Sequence, residues 1–277
     1  MRLATIRDGG RTVAVRIDGR DAVELPAADV GEVLRRDDWR SWAASRDGAP
    51  RVVDGLEYAP LVVRPDKIIC VGLNYRNHIL EMGRELPAHP TLFAKYTSAL
   101  VGAHDDIVLP AVSESVDWEA ELAVVIGARA RHVTTAGAVD AIAGYSVLND
   151  VSVRDYQNRT MQWLQGKTFE HSTPVGPWLV TQDESPGPDR EITCEVDGEL
   201  MQKADTSDLV FGPDALVSYI SEILTLEPGD IIATGTPGGV GVARTPPRFL
   251  ADGETVVTRI AGVGELRNVC RKERLPG

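Results

Sequence analysis

Basic residues, thiols and aromatics are all scarce in this 277-residue sequence. Asp and Glu total 41 against 29 Lys and Arg, giving a formal charge of −12, and the basic residues form no long run. A protein that neutralises nucleic-acid phosphates needs a basic face, so that class is excluded. The cysteines, Cys70, Cys194 and Cys270, stand far apart with no C-x-x-C pair, which removes a disulfide framework and a Cys-ligated zinc site. Cys70 sits in the apolar run 68–71 and reads as a small buried hydrophobe. No apolar stretch approaches the roughly 18 uninterrupted residues that cross a bilayer. The start, Met1 to Asp8, has no secretory h-region. These absences set the expectation of a cytoplasmic protein with neither nucleic-acid nor membrane partners. Hydrophobic residues still make up 43% of the chain, enough for a folded core.

Nucleotide and common hydrolase signatures are missing too. The strand-like stretch 230–234 runs into the Gly-rich segment 235–241, but no G-K-[ST] follows and the glycines do not fit G-x-G-x-x-G before a helix. No G-x-S-x-G or H-E-x-x-H occurs. What remains is a loop whose backbone can approach a ligand, with Thr234 and Thr236 as hydroxyl donors.

Alternation around Gly9-Gly10 marks residues 1–15 as a hairpin, and 28–34 have helical spacing. Residues 45–66, rich in Gly, Pro, Arg and Asp, read as a linker region. The expected division is a small N-terminal α/β module, 1–62, and a larger part, 63–277. In the larger part, strands are predicted at 67–72, 120–127, 142–148, 178–181, 191–196 and 230–234, with a two-residue turn at Asp197-Gly198. Helices are predicted at 74–82, 153–163 and 213–223, the last opening with Pro213. The class is α+β and β-rich.

The chemistry concentrates in acids. Along 117–126 a strand period of two puts Trp118, Ala120, Leu122, Val124 and Ile126 on one face and Glu119 and Glu121 on the other, followed by Ala123 and Val125. Two neighbouring carboxylates leading an apolar face repel each other and are costly to bury; a hard divalent cation relieves both. The alternative is a solvated strand edge. Asp150 ends the strand 142–148 and could be a third oxygen ligand or a helix N-cap. Arg154 and Gln157 share a helix face, where an arginine can hold an anionic substrate.

His78 and Glu81, three apart on a helix, can form a carboxylate–imidazole pair that acts as general base, or an ordinary surface pair. Lys167, alone among uncharged neighbours, either meets a developing oxyanion or is solvated.

In order along the chain, Gly72-x-Asn74-Tyr75-x-x-His78, Asp117-x-Glu119-x-Glu121, Asn149-Asp150 with Arg154 and Gln157, Gly166-Lys167-x-Phe169, and Thr234-Gly235-Thr236-Pro237-x-Gly239-Val240-Gly241 resemble the fumarylacetoacetate hydrolase family from about Lys67 onward. The resemblance implies a mixed β-roll or β-sandwich-like catalytic domain, a homodimer, and Mg²⁺ or Mn²⁺. It assigns Glu119, Glu121 and Asp150 to the metal, and His78 with Glu81 to water activation on a lid segment. Lys167 is assigned to charge stabilisation, and Arg154, Gln157, Thr236, Tyr75 and Gly235 to substrate. Family members often carry Asp after Lys-x-Phe, whereas Glu170-His171 stands here.

The implied reaction is hydrolysis of a C–C bond in a small anionic 2,4-dioxo acid of the acylpyruvate or fumarylpyruvate type, as in aromatic catabolism, giving pyruvate and a carboxylic acid. The same site suits oxaloacetate decarboxylation or isomerisation of a 2-hydroxy-dienoate. A catalytically silent binding protein on this fold is the alternative from another class.

Overall fold

The computed structural model describes residues 1–48, 50–81, 83–184 and 189–274, without the Glu81 side chain. The protein is β-rich with few helices. Its centre is the strand Ala120–Ile126, buried at every position. Ile142–Asn149 pairs antiparallel along one edge and Ile231–Ala233 along the other. Beyond these lie Thr173–Thr181 on one side, and Ile68–Gly72 with Thr91–Lys95 on the other. The segment Arg2–Asp8 joins the outer edge of Thr173–Thr181 and carries Arg11–Asp18, Asp21–Glu24 and Pro50–Val52 beside it; Leu100–Val101 pairs parallel with the start of Thr173–Thr181, bringing the sheet to 11 strands among the described residues.

A second sheet of 5 strands, ordered Glu199–Asp205, Glu191–Val196, Thr255–Ile260, Gly264–Lys272 and Ile107–Leu109, packs against it. Cys194, Val256, Leu266 and Cys270 from this sheet share one core with Trp118, Ala120, Leu122 and Val147. Ala123 and Val125 lie in a second core under the helices Val30–Leu34 and Trp39–Ala44. Val124 and Ile126 pack with Leu216, Val217 and Ile220 of the helix Pro213–Ile223 in a third. Both faces of Ala120–Ile126 are therefore covered, which is why 122–126 is a continuous apolar run.

This topology gathers the site. Ile68–Gly72 and Ile231–Ala233 run parallel, while Ala120–Ile126 runs against its neighbours. The ends of Ile68–Gly72, Ile142–Asn149 and Ile231–Ala233 thus meet the start of Ala120–Ile126, with Ala120 opposite Asn149.

The structure departs from the sequence expectation at 153–163. Two short turns, Arg154–Gln157 and Leu164–Lys167, replace one helix. Thr160 Oγ1 donates to Gln162 O at 3.1 Å and accepts from Gln162 N at 3.2 Å, a local bond that competes with helix continuation. The turns then fold onto each other at Gly166, where a Cβ would lie 2.4 Å from Gln157 N. The stretch 45–66 is packed: it contains Pro50–Val52 and buries Tyr58, Ala59, Leu61 and Val62. Of its Gly and Pro residues Gly55 marks a turn, while Pro50 lies in a strand, and the stretch's apolar side chains enter the core. The expected helix 74–82 is Arg76–Glu81, and Met82 lies outside the described residues.

Candidate active site

Glu119, Glu121 and Asp150 are buried, and each offers a carboxylate oxygen within 4.8 Å of the others. Glu119 and Glu121 come from the start of the central strand. Asp150 follows Asn149, whose Oδ1 accepts the Glu119 backbone N–H at 2.9 Å while Asp150 N donates to Glu119 O at 2.8 Å. Asp150 is no helix cap, because the next helical turn starts at Arg154 with Val153 as its N-cap. The acids do not face water, so the solvated-edge alternative fails.

Cations thread between them. Lys167 is 1% exposed; its Nζ donates to Glu119 Oε2 at 2.6 Å and to Asp150 Oδ2 at 2.7 Å. The solvated reading of this lysine is corrected: the fold at Gly166 turns it inward. Arg154 contacts Glu119 Oε1 at 2.6 Å through Nη1 and Asp117 Oδ2 at 2.8 Å through Nε. Gln157 Oε1 accepts from Arg154 Nη1 at 2.9 Å, while Arg154 Nη2 is buried without a partner among the described residues.

Sequence reasoning gave no role to Lys95 or Asp117. Lys95 Nζ donates to Asp150 Oδ1 at 2.6 Å. Asp117 accepts from Gly241 N and Val242 N at 2.7 and 3.0 Å, as well as from Arg154. An isolated lysine at a strand end carries no periodic signal. The acid at 117 belonged to the alternating motif and was the one available hint.

The Gly-rich loop closes the site through its backbone. Gly235 N–H donates to Glu121 Oε2 at 2.7 Å, with φ +102° and a Cβ position 3.0 Å from Val71 O. Thr236 Oγ1 donates to Ala120 O at 3.0 Å and accepts from Gln202 Nε2 at 2.8 Å, tying the loop to both sheets. A cavity of about 210 Å³ is lined by His78, Glu119, Glu121, Arg154, Gln157, Lys167 and Thr236, with Phe93, Trp163, Val240 and Val242 as its apolar wall.

His78 also lines an adjoining cavity of about 460 Å³, together with Tyr75, Asn77, Lys203 and Asp208. The Glu81 side chain, expected to pair with His78, lies outside the described residues. Tyr75 is buried and its hydroxyl lacks a partner among the described residues. Glu170 and His171 are exposed, and neither lines the 210 Å³ cavity.

Electrostatics separate the acids. Burial, then Asp150 and Glu119 as like charges, push the Glu121 carboxyl well above its ordinary range. Burial also opposes ionisation of Asp150, but Lys167 and Lys95 outweigh it and hold that group at about 2. Burial likewise opposes the charge on Lys167, yet Asp150 and Glu119 keep it protonated. Glu119 and Asp150 each meet two cations, whereas Glu121 meets none among the described residues. Four carboxylates, Asp117 included, thus face three cations. Three oxygen donors at mutual ligating distance, one without a counter-charge, fit a hard divalent ion.

The sequence profile described as Fumarylacetoacetate (FAA) hydrolase C-terminal matches residues 67–271. A mitochondrial oxaloacetate tautomerase of Bos taurus is 48% identical over 210 residues, 75% of this chain and 67% of its own length. A Homo sapiens oxaloacetate tautomerase is 46% identical over 232 residues, 83% of this chain and 73% of its own. Among solved structures, an HpcE-like protein from Mycobacterium smegmatis aligns with TM-score 0.90 and 36% identity over 99% of this chain and 100% of that one. Maleylpyruvate hydrolase from Sphingobium sp. SYK-6, solved with manganese(II) and pyruvate, aligns with TM-score 0.83 and 30% identity over 99% of this chain and 100% of that one.

Proposed function

Since this chain belongs to the fumarylacetoacetate hydrolase family, we propose that it is a divalent-metal enzyme acting through the enolate of a small 2-oxo acid, with keto–enol interconversion of oxaloacetate as its reaction. The observation that carries this reading is the convergence of Glu119, Glu121, Lys167 and Arg154 on one cavity of about 210 Å³, with Asp150 buried beside the two glutamates. That space suits a four-carbon diacid, and the tautomerases at 46–48% identity supply the substrate.

Glu119, Glu121 and Asp150 would hold Mg²⁺ or Mn²⁺, which when bound acts as a Lewis acid toward oxygen ligands. Arg154 presents its unpartnered Nη2 to the substrate carboxylate as a charge-assisted donor. Lys167 stabilises negative charge growing on the C2 oxygen. His78 accepts the proton leaving C3 and passes it to the C2 oxygen to give the enol; the reverse transfers restore the ketone. Phe93, Trp163, Val240 and Val242 keep bulk water from the carbanion.

A second reading, hydrolysis of a 2,4-dioxo acid to pyruvate and a carboxylic acid, is favoured by the placement of His78. It lies between the 210 Å³ cavity and the 460 Å³ one, so a longer acyl chain passing it would bring the distal carbonyl beside a general base. The test follows the enol absorbance of oxaloacetate and of acetylpyruvate with Mn²⁺, and again with EDTA. Metal-dependent acceleration of the oxaloacetate signal without pyruvate release supports tautomerisation. Pyruvate and acetate formed together from acetylpyruvate support hydrolysis. Neither change would refute both.

A further inference from the structure

Asp150 is gripped from both sides. Lys167 takes Oδ2 at 2.7 Å and Lys95 takes Oδ1 at 2.6 Å. The two lysines are not equivalent. Lys167 also bonds Glu119, lines the 210 Å³ cavity, and sits 5.0 Å from the Phe93 ring in its wall. Lys95 has a side chain that is 0% exposed, does not line the cavity, and spends its remaining contact on Val151 O at 3.2 Å.

Lys167 has three N–H donors, two of them on Glu119 and Asp150, so an ammonium that shifts to aim the third at a substrate oxygen loosens its hold on Asp150. A carboxylate in a dry site left with one free oxygen and a free rotor would turn away from its partners. We infer that Lys95 is the positioning residue that fixes the Asp150 carboxylate toward Glu119 and Glu121 when Lys167 turns to substrate. Lys95 stays in place through the Val151 carbonyl and the strand Thr91–Lys95, which pairs with Ile68–Gly72. The inference rests on the reading of the three carboxylates as a divalent-cation site.

Charge counting alone predicts the opposite outcome for a Lys95 variant. Removing a buried cation next to three acids makes the site more negative, and by Coulomb attraction Mn²⁺ would bind more tightly. Positioning predicts weaker binding, so the sign of the change decides.

The experiment titrates Mn²⁺ alone into the wild-type chain, Lys95→Met, Lys95→Gln and Glu121→Gln by calorimetry, with near-ultraviolet circular dichroism to identify folded samples. The expected result is Mn²⁺ affinity at least tenfold weaker in Lys95→Met and less weakened in Lys95→Gln, which keeps an uncharged NH2 donor. Unchanged or tighter binding in folded Lys95→Met overturns the inference. Absence of Mn²⁺ binding to wild type, or wild-type affinity in Glu121→Gln, overturns the metal reading instead.

Should neither Lys95 variant fold, the wild-type ammonium ¹⁵N spectrum decides. Addition of Mg²⁺ and then oxaloacetate is expected to shift the buried Lys167 resonance and leave that of Lys95 in place. A Lys95 resonance that moves while Lys167 stays fixed overturns the inference. Lys67, Lys203 and Lys272 are 27%, 59% and 50% exposed, so their exchange separates them from this pair.

Discussion

Replacing Glu121 by Gln should stabilise the metal-free protein while abolishing its response to metal. Glu121 is fully buried, meets Asp150 and Glu119 as like charges, and receives a single backbone N–H from Gly235. Its folded-state pKa lies above the ordinary carboxylate value of 4.5. The folded state therefore holds this proton more tightly than the unfolded chain does. Stability from this group is full below the ordinary value and is lost as pH rises through the window above it. Each pH unit in that window costs about 1.4 kcal/mol. Glutamine keeps the shape and the acceptor for Gly235 N–H without the charge, and recovers most of that loss.

Metal reverses the order. At one hundred times its dissociation constant, an ion that binds only the folded state adds about 2.7 kcal/mol. The assay is urea denaturation of both proteins at pH 5 and 7.5, with EDTA or with Mn²⁺. The expected pattern is a flatter pH dependence and a higher midpoint for Glu121→Gln in EDTA, with Mn²⁺ raising the wild-type midpoint alone. A Glu121→Gln midpoint below wild type in EDTA at pH 7.5, or an Mn²⁺ shift in the variant, would refute the reasoning.

Further expectations concern single side chains. Arg154→Met should cost about 3 kcal/mol by denaturation, the low end for a broken buried ion pair, because Asp117 keeps Gly241 N and Val242 N and Glu119 keeps Lys167; turnover should become unmeasurable. Tyr75→Phe removes a buried hydroxyl that has no partner among the described residues, so stability should rise by about 1 kcal/mol, while a raised KM would place that hydroxyl on the substrate. His78→Ala should lower kcat by about a hundredfold or more with Mn²⁺ affinity unchanged; lost metal binding would move His78 to a different role. Gly166→Ala puts a Cβ 2.4 Å from Gln157 N and should cost roughly 1–3 kcal/mol, with activity falling through Lys167.

The acids were legible in the sequence because a strand has a fixed period. A period of two put Glu119 and Glu121 on one face, and the apolar positions after them made a dry face one of two readings; the structure buries both. The helix Pro213–Ile223 and the turn at Asp197-Gly198 were equally local, and both stand where expected. Lys95 was not legible: its role arises from contact with Asp150 across 55 positions of sequence. Lys167 was ambiguous for a related reason, since only the close approach at Gly166 decides between solvent and core. The expected helix 153–163 failed because Thr160 bonds to its own backbone neighbourhood, a competition that helical spacing does not register.

The central claim is that Glu119 and Glu121 at the start of the central strand, with Asp150 from the end of its neighbour, hold one divalent cation beside Lys167. Crystals soaked with Mn²⁺ and measured for anomalous scattering at the manganese edge test this directly. The account predicts one strong peak bonded to Glu119, Glu121 and Asp150, with Lys95 still on Asp150 Oδ1. A site without a peak at saturating Mn²⁺, or a peak bonded to other residues, would contradict it.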